Sequence, residues 1–247
     1  MKTALGLAAA LPLAPVLVWQ GRRVRRDTPK LPEAEGPRGA TLGADRPGRP
    51  LRLLIVGDSS AAGVGAAVQA EALAGRLAER VAPHIARPLE WTLLARSGIA
   101  TREAHALLEA APGGRFDVAV VALGVNDVTA MRPASRWLAD VSRLTEGLRE
   151  RHRVRRVLWS GLPPMHRFPA LPQPLRAVMG LHARALDAAL GRWCASRPDG
   201  ALPRVTHVPL PPMTDPSQVA SDGFHPGPGA YVVWAEALAP HVLGRHG

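Results

Sequence analysis

The stretch VGDSSAAGVG, residues 56–65, places two adjacent serines behind an acid in a loop of small residues, a setting that leaves a hydroxyl exposed with room around it. A serine hydroxyl is a poor nucleophile at neutral pH and needs a base to take its proton, with a third group to orient that base. Ser59, His225 and Asp222 supply the three types. Asp222 and His225 are three positions apart with Gly223 between them, so a turn lets the carboxylate reach one imidazole nitrogen while the other faces Ser59. Attack on a carbonyl also needs donors aimed at the developing oxyanion. The side-chain amide of Asn126, the N–H of Gly98, which no Cβ screens from a ligand, and the N–H of Ser59 itself are the candidates.

Elements must bring these positions together. Short apolar runs at 51–56, 89–95, 117–124, 155–162 and 204–210 alternate with longer stretches of helical period, such as Trp137, Val141, Leu144 and Leu148, then Leu175, Met179, Leu186, Leu190 and Trp193, then Tyr231, Trp234, Leu238 and Val242. Continuous apolar strands alternating with helices imply a parallel sheet covered on both faces. Ligands bind such sheets at the carboxyl ends of the strands. The polar clusters obey that rule: Gly57-Asp58-Ser59 after the first run, Arg96-Ser97-Gly98 after the second, Gly124 to Asp127 after the third and Ser221 to His225 after the fifth.

The blocks GDSS, SG, GVND and DGFH, in this order, resemble the four signature blocks of the SGNH hydrolases, also called the GDSL lipase/esterase family, over about residues 51–243. The resemblance implies a three-layer α/β/α sandwich, flavodoxin-like, here with a five-stranded parallel sheet. It implies Ser59 as nucleophile and first oxyanion donor, Gly98 and Asn126 as the other donors, and Asp222 with His225 completing a triad that cleaves esters or thioesters with no metal or cofactor. Ser60 departs from the pattern, standing where the family usually has Leu, and puts a second hydroxyl beside the first. Other readings of the loop fail. The α/β-hydrolase elbow G-x-S-x-G would need glycine where Ala61 stands, GVGAAV does not complete G-x-G-x-x-G, and no lysine follows to make a Walker loop.

Each block alone has a structural reading. Ser59 and Asp58 after a strand, and Asn126 and Asp127 after Gly124, are residues that cap helices. His182 falls on the apolar stripe of its helix, and Cys194, the single cysteine, reads as a small buried filler. With one cysteine there is no intramolecular disulfide, and no metal-ligand spacing occurs. The proline-rich segment 161–174 follows the fourth strand run, and Leu162, Pro163, Met165 and Phe168 are expected to wall the site on the acyl side.

The chain has 247 residues and a formal charge of +11, about half of it in the first 50 residues. Residues 1–26 combine an uncharged run from Ala4 to Trp19 with the cluster Arg22, Arg23, Arg25 and Arg26, which directs the segment to a membrane and its headgroups rather than to nucleic acid. At roughly 1.5 Å per residue that run spans about 24 Å, a short anchor helped by snorkelling arginines. A signal peptide is the competing reading, but no A-x-A site follows and the arginines oppose export. The arginine flank favours the cytoplasmic side, an exported or periplasmic location being the alternative. Residues 27–50, rich in Pro and Gly without period, read as a linker, and 51–247 as the catalytic domain. The expected function is a lipase- or lysophospholipase-like serine esterase acting on a small-molecule or lipid ester. A carbohydrate acetylesterase or acyltransferase is the rival within the family, and a catalytically inactive, membrane-tethered basic adaptor the rival outside it.

Overall fold

The computed structural model describes residues 11–198, 200–212, 215 and 218–244. Five parallel strands form where the apolar runs lie: β2 (Leu51–Gly57), β3 (Leu89–Ala95), β4 (Val118–Ala122), β5 (Arg156–Ser160) and β6 (Arg204–Val208). Their spatial order is β3-β2-β4-β5-β6, which in chain order of the parallel strands is 2-1-3-4-5, the flavodoxin-like arrangement. Its switch point falls between β2 and β4, the strands that lead into Ser59 and Asn126.

Because side chains alternate across a strand, both faces of β2 must be covered. Leu53 and Ile55 pack with the helices α2 (Leu73–Val81) and α7 (Pro228–Val242), and Leu54 and Val56 with α3 (Thr101–Ala110), α5 (Ala134–His152) and α6 (Leu175–Ala195). This is the expected α/β/α sandwich, and the helical stripes read from the sequence are its inner faces. Trp137 and Trp159 are fully buried in the second layer, their indole N–H groups donating to Thr101 Oγ1 at 3.0 Å and Thr145 Oγ1 at 3.1 Å.

The sheet has six strands where five were expected. The sixth, β1 (Gly39–Leu42), runs antiparallel along β3 at the edge, Gly39 facing Thr92 and Leu42 facing Leu89. It lies inside the segment expected to be a linker. That segment is tied to the domain elsewhere too: Ala34 N–H donates to Ala62 O (3.2 Å), Glu35 N–H to Ala67 O (2.9 Å), and the Arg46 guanidinium to Ile85 O (3.0 Å). Its prolines and glycines mark turns between short paired pieces, and four residues are too few to show a period of two.

The expected anchor is divided by what is described. Its beginning, Ala4 to Ala10, lies outside the described residues, and the remainder leads into α1 (Ala14–Asp27). No helix among the described residues is long and apolar enough to cross a membrane. His182 and Cys194 are both buried on α6, where the sequence puts them.

The most demanding polar group in the helical layer is Asp127, with no exposed surface, at the start of the one-turn helix α4 (Val125–Thr129). Burial pushes its carboxyl above the ordinary value, and the N–H and hydroxyl of Thr101, donating at 3.0 and 2.7 Å, oppose that rise. The carboxylate thereby takes up one orphan N–H at the start of α3, together with the Thr101 hydroxyl. Asp127→Ala strands those donors in a buried place, a loss of about 1–3 kcal/mol, and a lowered urea midpoint with unchanged slope is the expected result.

Candidate active site

The turn after β2 is set by a lack of space. A Cβ on Gly57 would lie 2.3 Å from Ala61 Cβ and 2.6 Å from Ala122 O, so only glycine lets the chain fold over β4 here. Asp58 follows, 2% exposed, its N–H on Ala122 O. Its carboxylate accepts from Ser60 N–H at 3.0 Å and Ser60 Oγ at 2.7 Å, and at the longer distance of 3.4 Å from Asn126 Nδ2. Burial raises the Asp58 pKa, and the bonds from Ser60 hold part of that rise back. Ser60 is thereby turned toward Asp58. No helix starts at Ser59, since α2 begins only at Leu73, so its hydroxyl does not cap one.

Ser59 faces the other way, its Oγ 3.0 Å from His225 Nε2 across a sequence separation of 166 residues. His225 Nδ1 lies 2.5 Å from Asp222 Oδ2, while Asp222 Oδ1 accepts the N–H groups of Phe224 (2.9 Å) and His225 (3.0 Å). Desolvation acts to raise the Asp222 pKa, but the bonds from the His225 ring and from the two N–H groups outweigh it and hold the carboxyl below its ordinary value. An ionised Asp222 fixes the proton on Nδ1, which leaves Nε2 free to accept from Ser59.

Two contacts make this meeting possible. Gly65, at φ +98, runs so close to the histidine turn that a Cβ on it would lie 2.1 Å from Pro226 O. Tyr231, fully buried on α7, donates its hydroxyl to Val64 O at 2.7 Å. The turn itself is closed by Ala220 N–H on His225 O (2.8 Å) and Gly227 N–H on Gln218 O (2.8 Å).

Asn126 occupies the second position of α4, and its side chain leaves that helix. Besides the contact with Asp58, its amide donates to Ile99 O at 2.8 Å. It therefore joins the loop after β2 to the loop after β3, where Gly98 stands exposed at φ +81 with no heavy atom within 4 Å of where a Cβ would be. Helix capping is not the role of either Ser59 or Asn126. Ser59, His225, Asp222 and Asn126 thus gather at one end of the sheet, with Gly98 on the adjoining loop.

Beside Ser59 opens a largely apolar cleft. Leu162, Pro163 and Phe168 line it; Met165 does not, since it is fully buried in the layer of α5 and α6. The proline-rich segment makes a short 3₁₀ turn there, with Met165 inward and Pro163 and Phe168, before and after it, at the cleft. Leu162 is held by Asp187, whose Oδ1 accepts its N–H at 2.9 Å and sits 2.9 Å from His207 Nε2. Leu210, Phe224, Val233 and Trp234 complete the wall. Phe224, beside His225, and Leu210, just after β6, were within reach of the strand-end rule; Val233 and Trp234, on a helix, were not. Among the described residues no cluster of His, Cys, Asp or Glu could hold a metal ion.

Residues 55–233 match the model of the GDSL-like lipase/acylhydrolase family. The chain belongs to this family. It is an ester-bond hydrolase, and its fold is that of several solved members. It is similar to TesA, with 20% identity, a TM-score of 0.59 and coverage of 79% of this chain and 99% of that one. It is similar also to the lipase Lip_vut3 from a goat rumen metagenome, with 16% identity, a TM-score of 0.58 and coverage of 76% and 95%. Axe2, an acetylxylan esterase from Geobacillus stearothermophilus, gives 14% identity, a TM-score of 0.52 and coverage of 77% and 93%. No curated protein matches the chain in sequence.

Two outcomes follow from this geometry. Gly65→Ala pushes the loop that carries Ser59 off the histidine turn, and since a displacement of about 1 Å costs on the order of 10²-fold, hydrolysis of p-nitrophenyl acetate falls by about that factor while thermal unfolding shows a folded protein. Cys194 is buried, and desolvation pushes its thiol up to about 12. Iodoacetamide at mildly alkaline pH is therefore expected to leave activity intact and to label Cys194, followed by mass spectrometry, only after denaturation.

Proposed function

We propose that this hydrolase is a serine esterase for carboxylic esters or thioesters with an apolar acyl group, with Ser59 as nucleophile. The observation that carries the reading is the hydrogen-bonded chain from Ser59 Oγ through His225 to Asp222, with links of 3.0 and 2.5 Å. Ser59 Oγ attacks the carbonyl carbon as its proton passes to His225 Nε2, and Asp222 stabilises the imidazolium that forms. The oxyanion accepts from the N–H groups of Ser59 and Gly98 and from Asn126 Nδ2, donors that contribute about 3–4 kcal/mol apiece in comparable sites. Here Asn126 turns one N–H from Asp58, its weaker contact, to the oxyanion. The tetrahedral intermediate collapses, His225 returns the proton to the leaving alcohol or thiol, and an acyl-Ser59 ester remains. Water activated by the same histidine then releases the acid.

The cleft supports the apolar acyl group. Leu162, Phe168, Leu210, Phe224, Val233 and Trp234 offer few polar partners to a sugar, which favours an acyl chain over an acetylated carbohydrate. An inactive adaptor would lack one of the chemical groups, and Ser59, His225 and Asp222 are all present. Neither mechanism nor cleft calls for a cofactor.

A fluorophosphonate probe followed by peptide mapping tests the nucleophile: label is expected on Ser59, and label on Ser60 reassigns the site. Ser59→Ala abolishes ester turnover and Ser60→Ala keeps most of it. Asp222→Asn, which loses the charge that fixes the tautomer, lowers kcat by about 10⁴. Phe168→Ala and Leu162→Ala lower the ratio of rates on long-chain to acetyl p-nitrophenyl esters, whereas an unchanged ratio removes the cleft as the acyl site.

A further inference from the structure

Helix α1 carries an exposed surface for which the described residues offer no partner. Of the seven exposed large apolar side chains among the described residues, four fall on one short segment: Leu13, Val16, Val18 and Trp19, from 40 to 58% exposed. Arg22, Arg23, Arg25 and Arg26 follow directly, all exposed. Asp27 pairs with Arg23 and Arg26, and the Arg23 guanidinium lies over the Trp19 ring at 5.6 Å. An apolar half leading into a cationic half is complementary to a bilayer with anionic headgroups: aliphatic and indole side chains enter the acyl region, and guanidinium groups pair with phosphates at its edge.

The opposite face of the same helix is bound to the layer behind the cleft wall. Leu17 and Val24 pack against the apolar layer that includes Leu162 and Phe168. Gln20, 7% exposed between them, donates from Nε2 to Gln173 O at 2.7 Å and accepts at Oε1 from Leu175 N–H at 3.1 Å. Gln173 lies at the end of the proline-rich segment that walls the cleft, and Leu175 starts α6. The same segment reaches the histidine turn, through Ala170 N–H on Gly223 O at 3.0 Å and through the rings of Phe168 and Phe224, 5.2 Å apart and edge to face. A rigid path therefore runs from α1 to the side chains around His225.

We propose that α1 is a docking element for an anionic lipid bilayer, clamped by Gln20 to the wall of the acyl cleft, so that the bound enzyme takes its ester from the bilayer. The partner is a phospholipid surface with net negative charge, and the substrate class is a lipid ester; this second part rests on the esterase reading given above. Binding depends on both halves of the helix. The clamp keeps the cleft beside the surface that α1 engages, and without it α1 still binds but the cleft is no longer fixed there.

The test uses the full chain and vesicles of phosphatidylcholine, alone or mixed with phosphatidylglycerol. Flotation is expected to show binding to the mixed vesicles at least tenfold tighter than to phosphatidylcholine alone, weakened by added salt. Replacing the four arginines by glutamine is expected to abolish that preference, and Trp19→Glu, at an exposed position that tolerates polarity, to weaken binding to both. Equal binding to the two compositions, or undiminished binding of the arginine variant, overturns the proposal. Gln20→Ala is expected to float as wild type while the ratio of turnover on a vesicle-embedded ester to turnover on a soluble ester falls; an unchanged ratio overturns the clamp. Fluorophosphonate labelling of the wild-type samples separates the two readings. Vesicle binding without labelling contradicts the esterase reading alone, and labelling without vesicle binding contradicts the docking element alone.

Discussion

The site depends on one close approach, that of the loop after β2 to the turn that carries His225. Gly65 there runs against Pro226 O with no room for a side chain, and the Tyr231 hydroxyl holds the neighbouring Val64 carbonyl from α7. The backbone of the first parallel strand and the last helix are thereby fixed to each other. A 3.0 Å bond between side chains 166 residues apart can form only because this contact removes the freedom of both segments. Glycine at Gly57 acts in the same sense at the sharp turn that precedes Asp58.

Three buried acids share this end of the sheet, and their surroundings give them different tasks. Asp222 has enough donors to remain ionised and orient an imidazole. In Asp58 and Asp127 burial prevails and the pKa is raised. Asp58 turns Ser60 away from His225 and reaches toward Asn126, whereas Asp127 holds the start of α3 through Thr101. Adjacent residues in the GDSS and GVND blocks thus have different partners: Ser59 from Ser60, Asn126 from Asp127. Ser59 meets His225 while Ser60 meets Asp58, and Asn126 donates to Ile99 O and Asp58 while Asp127 accepts from Thr101.

The apolar cleft and α1 share one structural support. Segment 161–174 serves both: it presents Leu162, Pro163 and Phe168 to the cleft, and its end receives Gln20. Asp187 and His207 brace it from behind at Leu162 N–H. A wall held at Leu162, at Gln173 with Leu175, and at Gly223 keeps its shape without long secondary structure, which its prolines forbid.

Much of this was legible in the chain itself. Apolar runs of strand length alternating with stripes of helical period determined a covered parallel sheet, because an apolar strand has to be buried on both faces. Polar clusters at the strand ends determined Ser59, Asn126, Asp222 and His225 as the residues of interest. Three things were decided by tertiary structure alone. Gly39–Leu42 became an edge strand because β3 offered an unpaired edge, although four residues are too short to announce a strand. Met165 turned into the core while Val233 and Trp234 came to the cleft, because a 3₁₀ turn and the docking of a helix set those directions, and neither follows a sequence period. The different surroundings of Ser59 and Ser60 are the third: the GDSS block ranks the first serine over the second, but only the folded chain places Ser60 against the buried Asp58 and Ser59 against His225.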